Sequence, residues 1–195
     1  MWGLPAFCRK FHLQGEYSSI ISLGGSGMST AYFAGGCFWC ITPTFREMDG
    51  VRGVISGYSG GAEENPVYED VKLQRTGHRE TIRIDYDESR VSFDELLAQF
   101  LQSVDPFDGE GQFIDRGFSY TLAVYYTDDA QQHAAHAQVK ALESENGRPV
   151  CVSIEPFSNF WRAEEYHQDY DLKNPEAFEQ ELIESGRKQK ESDEE

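Results

Sequence analysis

The ten residues AYFAGGCFWC, at positions 31–40, constrain this sequence of 195 residues more than any other stretch. Their apolar beginning predicts a short strand, two glycines predict a turn, and the amphipathic residues 38–48 predict a helix. Cys37 is thereby placed at a strand-to-helix junction, where free N–H groups and the positive end of the helix dipole favour a thiolate. The stretch predicts a nucleophilic or redox-active cysteine beside aromatic side chains.

Other roles for this cysteine stay open on the residues alone. A lone cysteine is often a small buried hydrophobe. The spacing of Cys37 and Cys40 also suits half a zinc site or a thioredoxin-like redox pair. Zinc is disfavoured because the sequence has no second C-x-x-C pair and no H-x₃₋₅-H pair. A thioredoxin-like pair usually encloses proline and small residues, whereas this pair encloses phenylalanine and tryptophan.

Further short blocks follow the cysteine in a fixed order between residues 29 and 178. They are GCFW at 36–39, SGYSGG at 56–61, NPVY at 65–68, TGHRE at 76–80, GQFIDRG at 111–117 and AEEYHQ at 163–168. With these blocks the chain resembles the A-type peptide methionine sulfoxide reductases, in which they occur in the same order. Several blocks in order make this resemblance specific.

The fold class expected from the pattern differs from the one that the resemblance implies. Predicted strands and helices alternate along the chain, which by itself favours a parallel α/β sheet. The resemblance implies an α+β protein instead: a two-layer α/β plait (ferredoxin-like) with a mixed sheet and extensive coil. We follow the resemblance and expect a catalytic domain at 29–186. A flexible N-terminal extension would occupy 1–28 and a charged C-terminal tail 187–195.

Periodicity predicts the main elements of this domain. Ser92 and Glu95 form a capping box ahead of a helix that ends before Pro106. The other predicted strands are 54–58, 79–87, 120–126 and 149–155, and the other predicted helices are 128–145, 162–170 and 175–185.

Composition excludes some partners. Lysine and arginine number 17 against 34 aspartates and glutamates, a net charge of −17, which argues against nucleic acid and anionic membrane surfaces. No apolar run has transmembrane length, and we do not expect residues 1–28 to be a signal peptide, because they lack a compact apolar core followed by a small-residue cleavage site. The four cysteines are not spaced as a disulfide framework, so we expect a cytoplasmic protein, and we expect a monomer.

The resemblance assigns the chemistry of sulfoxide reduction to particular residues. Reduction of a methionine sulfoxide requires a thiolate that attacks sulfur, an acid that protonates the oxygen and a pocket for the methyl group. Cys37 matches the family's nucleophile. Glu80 matches the catalytic acid, and burial by aromatic side chains would raise its pKa. Without the resemblance, Glu80 would be an ordinary glutamate at a strand edge.

Five more residues take roles from the same resemblance. Tyr68 and Tyr120 match the tyrosines that hydrogen-bond the sulfoxide oxygen, although either could be a core aromatic residue. Asp115 matches an aspartate that helps to arrange the site, and Phe38 and Trp39 match the methyl pocket. The resemblance implies specificity for the S epimer, free or in proteins, with no metal or organic cofactor.

Regeneration of the cysteine is where this sequence departs from the best-known family pattern. The sulfenic acid formed on Cys37 must be cleared by a second thiol. The C-terminal tail carries no cysteine, and Cys40 stands where the family commonly has glycine, so Cys40 is the predicted resolving residue. Cys151 is predicted to be a buried strand cysteine, with Cys8 and an external thiol as further candidates. A thioredoxin-like donor would then reduce the enzyme.

Two further points concern this interpretation. Thr121 replaces an arginine that is common in the family after the tyrosine, which could alter how the Tyr120 loop is held. The alternative function is a general thiol–disulfide redox module, or a redox switch, that uses Cys37 and Cys40.

Overall fold

The computed structural model describes residues 27–188, so Cys8 and nearly all of the predicted N-terminal extension lie outside the described residues. The strands are β1 (Met28–Gly35), β2 (Val51–Ser59), β3 (Arg79–Asp87), β4 (Gly111–Gln112), β5 (Asp115–Arg116), β6 (Leu122–Tyr126), β7 (Val152–Pro156) and β8 (Trp161–Arg162). The α-helices are α1 (Phe38–Arg46), α2 (Tyr68–Lys72), α3 (Phe93–Ser103), α4 (Asp129–Asn146), α5 (Tyr170–Lys173) and α6 (Pro175–Glu184).

The central sheet has the strand order β7-β6-β1-β3-β2-β8. Neighbouring strands run antiparallel, except β6 and β7, which are parallel. The α+β class is therefore confirmed, and the parallel sheet that simple alternation favours is wrong. Alternation misleads here because β2 and β3 are adjacent antiparallel strands joined through a loop and the short helix α2.

The hydrophobic core forms between this sheet and the helices. Phe33 of β1 is fully buried and its ring stacks on Phe100 of α3, with centroids 4.8 Å apart. The predicted capping box starts α3: the Ser92 hydroxyl accepts the Glu95 N–H, and the Glu95 carboxylate accepts the Ser92 N–H at 2.8 Å. Burial of the apolar stripe of α3 then fixes the helix against β1.

One predicted helix and two predicted positions are corrected by the structure. The helix at 162–170 is wrong, because β8 pairs with β2 and the Gln168 side chain bonds both the N–H and the C=O of Ser56. Tyr120 lies in a 3₁₀ turn ahead of β6. Cys151 is exposed rather than buried. It lies just before β7 and donates its N–H to the Pro106 carbonyl at 2.7 Å.

The sheet register brings several strand ends to one edge. Phe33 pairs with Ile82, Gly35 pairs with Leu122, and Tyr58 pairs with Glu80. The end of β1 therefore lies between the beginnings of β3 and β6. Among the described residues, no helix combines the length and apolar character needed to cross a membrane.

Candidate active site

Cys37 lies at the tight turn between β1 and α1. Gly36 has a φ of +76°, and a Cβ added there would approach the Gln112 Cβ to 2.7 Å, so the turn requires glycine. Cys37 caps the N-terminus of α1, and only 5% of its surface is exposed. The Cys40 N–H donates to the Cys37 carbonyl at 3.1 Å, which brings the second cysteine one helical turn away.

Glu80, at the beginning of β3, is the acidic group nearest to this turn. Its Oε2 accepts the N–H of Phe38 at 3.1 Å. Burial, which leaves only 2% of Glu80 exposed, raises its pKa to about 8, although the Phe38 N–H and the Tyr120 hydroxyl act in the opposite direction. Glu80 therefore holds a proton at neutral pH.

The Cys37 thiol is also protonated at rest, unlike the thiolate that the helix terminus alone predicts. A hydrogen bond with the Cys40 thiol raises the pKa of Cys37 well above its usual value, and burial and the charge of Glu80 add to the increase. The expected benefit of the helix terminus is reduced because the Phe38 N–H is bonded to Glu80. A nucleophilic role for Cys37 would therefore require a proton transfer during attack.

Two tyrosines flank the cysteine and the glutamate. Tyr120 is almost fully buried, whereas Tyr68 is half-buried at the beginning of α2. Burial, followed by the charge of Glu80, raises the pKa of both phenols, and Cys37 acts on both as well. The two hydroxyl groups thus remain donors throughout the physiological pH range.

Asp115 joins the site from β5 and has an ion-pair partner that the sequence analysis missed. The Arg187 Nη2 lies 3.1 Å from the Asp115 Oδ2, and the guanidinium lies 4.4 Å from the centroid of the Phe113 ring. The sequence analysis placed Arg187 in a charged tail. Gly186 turns the chain after α6 with a φ of +76°, and only this turn directs Arg187 back toward β5.

An aromatic wall follows the cysteine along α1. Phe38 is buried, and Trp39 stacks on Tyr170 with centroids 3.8 Å apart. His167 packs against Phe38 and Tyr68 at centroid distances of 5.1 and 4.3 Å. This wall has the apolar character that a methyl group needs.

Comparisons with known proteins agree on one family. A model of the family described as "Peptide methionine sulfoxide reductase" matches residues 29–195. The chain is 46% identical over 145 residues to "Peptide methionine sulfoxide reductase MsrA 2" of Rhizobium meliloti, covering 74% of this chain and 72% of the relative. It is 43% identical over 160 residues to the protein of the same name in Staphylococcus aureus, covering 81% and 90%.

The chain belongs to the peptide methionine sulfoxide reductase A family.

Solved structures agree with this membership. Mxr1 of Saccharomyces cerevisiae in its reduced form matches with a TM-score of 0.72 at 27% identity, covering 76% of this chain and 87% of that protein. Methionine sulfoxide reductase A of Corynebacterium diphtheriae matches with a TM-score of 0.70 at 30% identity, covering 78% and 77%. Mxr1 has also been solved in complex with Trx2.

The reductase has a supporting residue, Glu164, that the sequence analysis did not single out. Its carboxylate accepts the Tyr58 hydroxyl at 2.8 Å and the Tyr68 N–H at 2.9 Å, which fixes the start of α2. Burial opposes ionisation of Glu164, but these hydrogen bonds lower its pKa overall. Its position in the 163–168 block was the available signal.

His167 behaves as an apolar side chain in this reductase. It is buried, and neither ring nitrogen has a hydrogen-bond partner among the described residues. Burial lowers its pKa to about 4, although the charge of Glu164 acts in the opposite direction. The neutral ring therefore extends the aromatic wall without titrating near neutrality.

The remaining cysteines and Thr121 differ in their relation to the site. Cys40 lies one helical turn from Cys37 and donates its N–H to the Cys37 carbonyl, whereas exposed Cys151 lies against the Phe107 carbonyl, 3.6 Å from its sulfur. The Thr121 hydroxyl accepts from the Arg79 Nε at 2.8 Å and donates to a carbonyl of the turn that carries Tyr120. A small hydroxyl residue thus holds this turn.

Proposed function

We propose that this protein reduces methionine S-sulfoxide, free or in proteins, to methionine with Cys37 as the nucleophile. One observation carries the proposal: a buried Glu80 carboxyl with a pKa of about 8 lies at the same helix terminus as the Cys37 thiol. A proton donor and a sulfur nucleophile side by side are what sulfoxide reduction requires. Family membership supports the same reaction.

In the first step, the oxygen of the sulfoxide is transferred to Cys37. Glu80 donates its proton to the sulfoxide oxygen while the Tyr68 and Tyr120 hydroxyls hydrogen-bond that oxygen. The Cys37 sulfur attacks the sulfoxide sulfur and its proton returns to the Glu80 carboxylate. The hydroxyl group then moves from the substrate sulfur to the Cys37 sulfur as the bond between the two sulfurs breaks, and methionine leaves. One sulfoxide and one thiol thus yield one sulfide and one sulfenic acid. Phe38 and Trp39 would hold the methyl group, and Asp115 would arrange the site.

In the second step, Cys40 resolves the sulfenic acid. The Cys40 sulfur attacks the Cys37 sulfur, the S–O bond breaks, and water leaves with the proton of the Cys40 thiol. The position of Cys40 one helical turn after Cys37, with its N–H bonded to the Cys37 carbonyl, supports this assignment. A thioredoxin-like donor, the kind of protein found with Mxr1, would reduce the disulfide.

We also propose a fold topology, domain limits, a cellular compartment and an oligomeric state. The succession β1-α1-β2-β3-α3-β6 with the spatial order β6-β1-β3-β2 supports a two-layer plait. We keep the catalytic domain at 29–186 with extensions at 1–28 and 187–195, although Arg187 packs against the domain. The cysteine spacing, which is not that of a disulfide framework, supports a reducing compartment such as the cytoplasm, and we propose that the enzyme acts as a monomer.

Three cysteine variants test this function. Cys37→Ser should abolish sulfoxide reduction, because it removes the sulfur that lies beside the buried Glu80 carboxyl. Cys40→Ser should keep a single turnover but lose thioredoxin-driven cycling by orders of magnitude. Cys151→Ser is the matched control and should cycle like the wild type, because this thiol lies outside the site. The measurements are methionine released in a single turnover and in steady state.

Two results would contradict the proposal. Unchanged cycling in Cys40→Ser would remove this residue as the resolving thiol. Reduction of insulin disulfides without any sulfoxide turnover would instead support the alternative, a general redox module that uses the same two cysteines.

A further inference from the structure

A cavity of about 350 Å³ adjoins Cys40 but not Cys37. Its walls come from α1, from α3 and from the turn after α6. We call it the Cys40 cavity, and the residues that matter for the argument are Cys40, Thr44, Gln99, Ser103 and Arg187. The volume suits a small organic molecule and is too small for a folded protein partner.

The walls of the Cys40 cavity are partly polar. Thr44 of α1 and Gln99 of α3 direct half-exposed polar side chains to it, and neither side chain has a hydrogen-bond partner among the described residues. Arg187 is the one charged residue of the lining; its Nη2 pairs with Asp115, but its Nη1 is without a hydrogen-bond partner in the described part of the chain. A cation and spare polar groups favour a polar, negatively charged ligand.

The two cysteines therefore face different spaces. Cys37 lies beside Glu80 and Tyr120, where the sulfoxide would bind, whereas Cys40 is half-buried and reaches the cavity. A nucleophile in the Cys40 cavity meets the Cys40 sulfur first. Thiolate attack on a disulfide depends on which sulfur is accessible, so a thiol in the Cys40 cavity attacks Cys40 rather than Cys37.

We propose that the Cys40 cavity is an entry port through which a small anionic thiol, of the type of glutathione, reduces the Cys37–Cys40 disulfide. The inference rests on the proposed function and deepens it, because it adds a regeneration route that needs no protein donor. Methionine and the thiol occupy separate spaces, so the product need not leave before reduction begins.

The chemistry of this route balances with two thiols. The thiolate of the first bonds to the Cys40 sulfur, the Cys37–Cys40 bond breaks, and Cys37 leaves as a thiolate that takes a proton from Glu80. A second thiolate attacks the sulfur of the first small thiol, which releases the oxidised small-molecule disulfide and the Cys40 thiolate. The two thiols are oxidised, and the enzyme disulfide is reduced by the same two electrons.

A cavity-filling variant with a matched control tests the port. Gln99→Trp places a large side chain in the Cys40 cavity, whereas Gln102→Trp adds the same side chain to an exposed position of the same helix. The disulfide is formed by one equivalent of methionine sulfoxide or, in parallel, by diamide. Its reduction by glutathione should be at least tenfold slower in Gln99→Trp and unchanged in Gln102→Trp. Single-turnover sulfoxide reduction should be unchanged in both.

A second measurement uses the unaltered protein. If the port exists, added methionine should not raise the glutathione concentration needed for half-maximal reduction. Competition between methionine and glutathione, or a wild-type rate in folded Gln99→Trp, would overturn the proposal. Sulfoxide conversion without a Cys37–Cys40 disulfide would overturn the port while keeping the reductase. Absence of conversion would instead overturn the proposed function.

Discussion

Glu80 and Cys37 lie in the same buried environment, which keeps both side chains protonated at neutral pH. Burial is the main cause for Glu80, and the Cys40 thiol followed by burial is the main cause for Cys37. A protonated acid is useful for an oxide leaving group, whereas a protonated thiol is a poor nucleophile. The account therefore requires proton exchange between these two side chains during attack.

Glu80→Gln should lower the single-turnover rate of sulfoxide reduction at neutral pH by roughly 10²- to 10⁴-fold, the usual contribution of a general acid. The protonated form of Glu80 is lost as pH rises through about 8, so the wild-type rate should fall above that pH. The measurement is the pH profile of methionine release. A near-normal rate in the variant, or no alkaline fall in the wild type, would contradict the role.

The same variant has a second consequence, for stability. The folded pKa of Glu80, about 8, lies above its ordinary value of 4.5, so the wild type loses stability between those pH values. The side chain introduced by Glu80→Gln does not ionise. The free energy of unfolding of the variant relative to that of the wild type should therefore increase by about 2 to 5 kcal/mol as the pH rises across this window. A constant difference from pH 4 to pH 9 would show that burial does not raise this pKa.

At the scale of elements, the site depends on the turn after α6 as well as on the strand ends. Arg187 pairs with Asp115 of β5 and covers the Phe113 ring. This ion pair compensates part of the negative charge that Asp115 brings close to Glu80 of β3. The charge of Asp115 raises the pKa of both Glu80 and Cys37. An unpaired Asp115 would strengthen that effect.

Arg187→Met should slow single-turnover reduction about fivefold, the equivalent of about 1 kcal/mol for a partly buried ion pair. The alkaline fall in rate should also move to higher pH, because the unpaired Asp115 charge raises the pKa of Glu80 further. Tyr120, Cys40 and the Phe38 N–H also face Glu80 and are unaltered. Arg187→Lys should restore most of the rate.

Arg148→Met provides the matched control for this variant. Arg148 also stacks on an aromatic ring, that of Phe107, at 3.7 Å from the centroid, but it pairs with no site carboxylate. Its loss should leave the pH profile unchanged. A profile in Arg187→Met that does not move would reduce Arg187 to a purely structural contact.

Sequence patterns predicted the elements whose contacts are local and missed those that depend on distant partners. The capping box of α3 and the helix at 128–145, observed as α4, were predicted, since their signals lie within a few residues. The helix at 162–170 failed because Gln168 and β8 bond to β2, more than a hundred residues away. Arg187 was missed for the same reason.

At the scale of the whole molecule, the sheet register assembles the site from separate blocks of sequence. Cys37 follows β1, Glu80 begins β3 and Tyr120 precedes β6, so antiparallel pairing brings all three to one edge. Periodicity alone could not supply this arrangement, because it indicates strands but not their neighbours. The family resemblance supplied the candidate residues, and the register explains why residues so far apart in sequence lie at the same edge of the sheet.

The overall charge of −17 is a property of the whole surface and does not determine the site. The charged groups next to Cys37 are Glu80 and Asp115, one protonated at neutral pH and the other ion-paired. Catalysis should therefore follow local burial and pairing rather than the acidity of the chain.

The most direct test of the central claim is a single-turnover assay with the separated S and R epimers of a blocked methionine sulfoxide, without reductant, followed by thiol counting. The account predicts conversion of the S epimer alone, with the loss of two thiols as Cys37 and Cys40 form a disulfide. Loss of one thiol would keep the enzyme but assign resolution to an external thiol. Conversion of neither epimer would contradict the account.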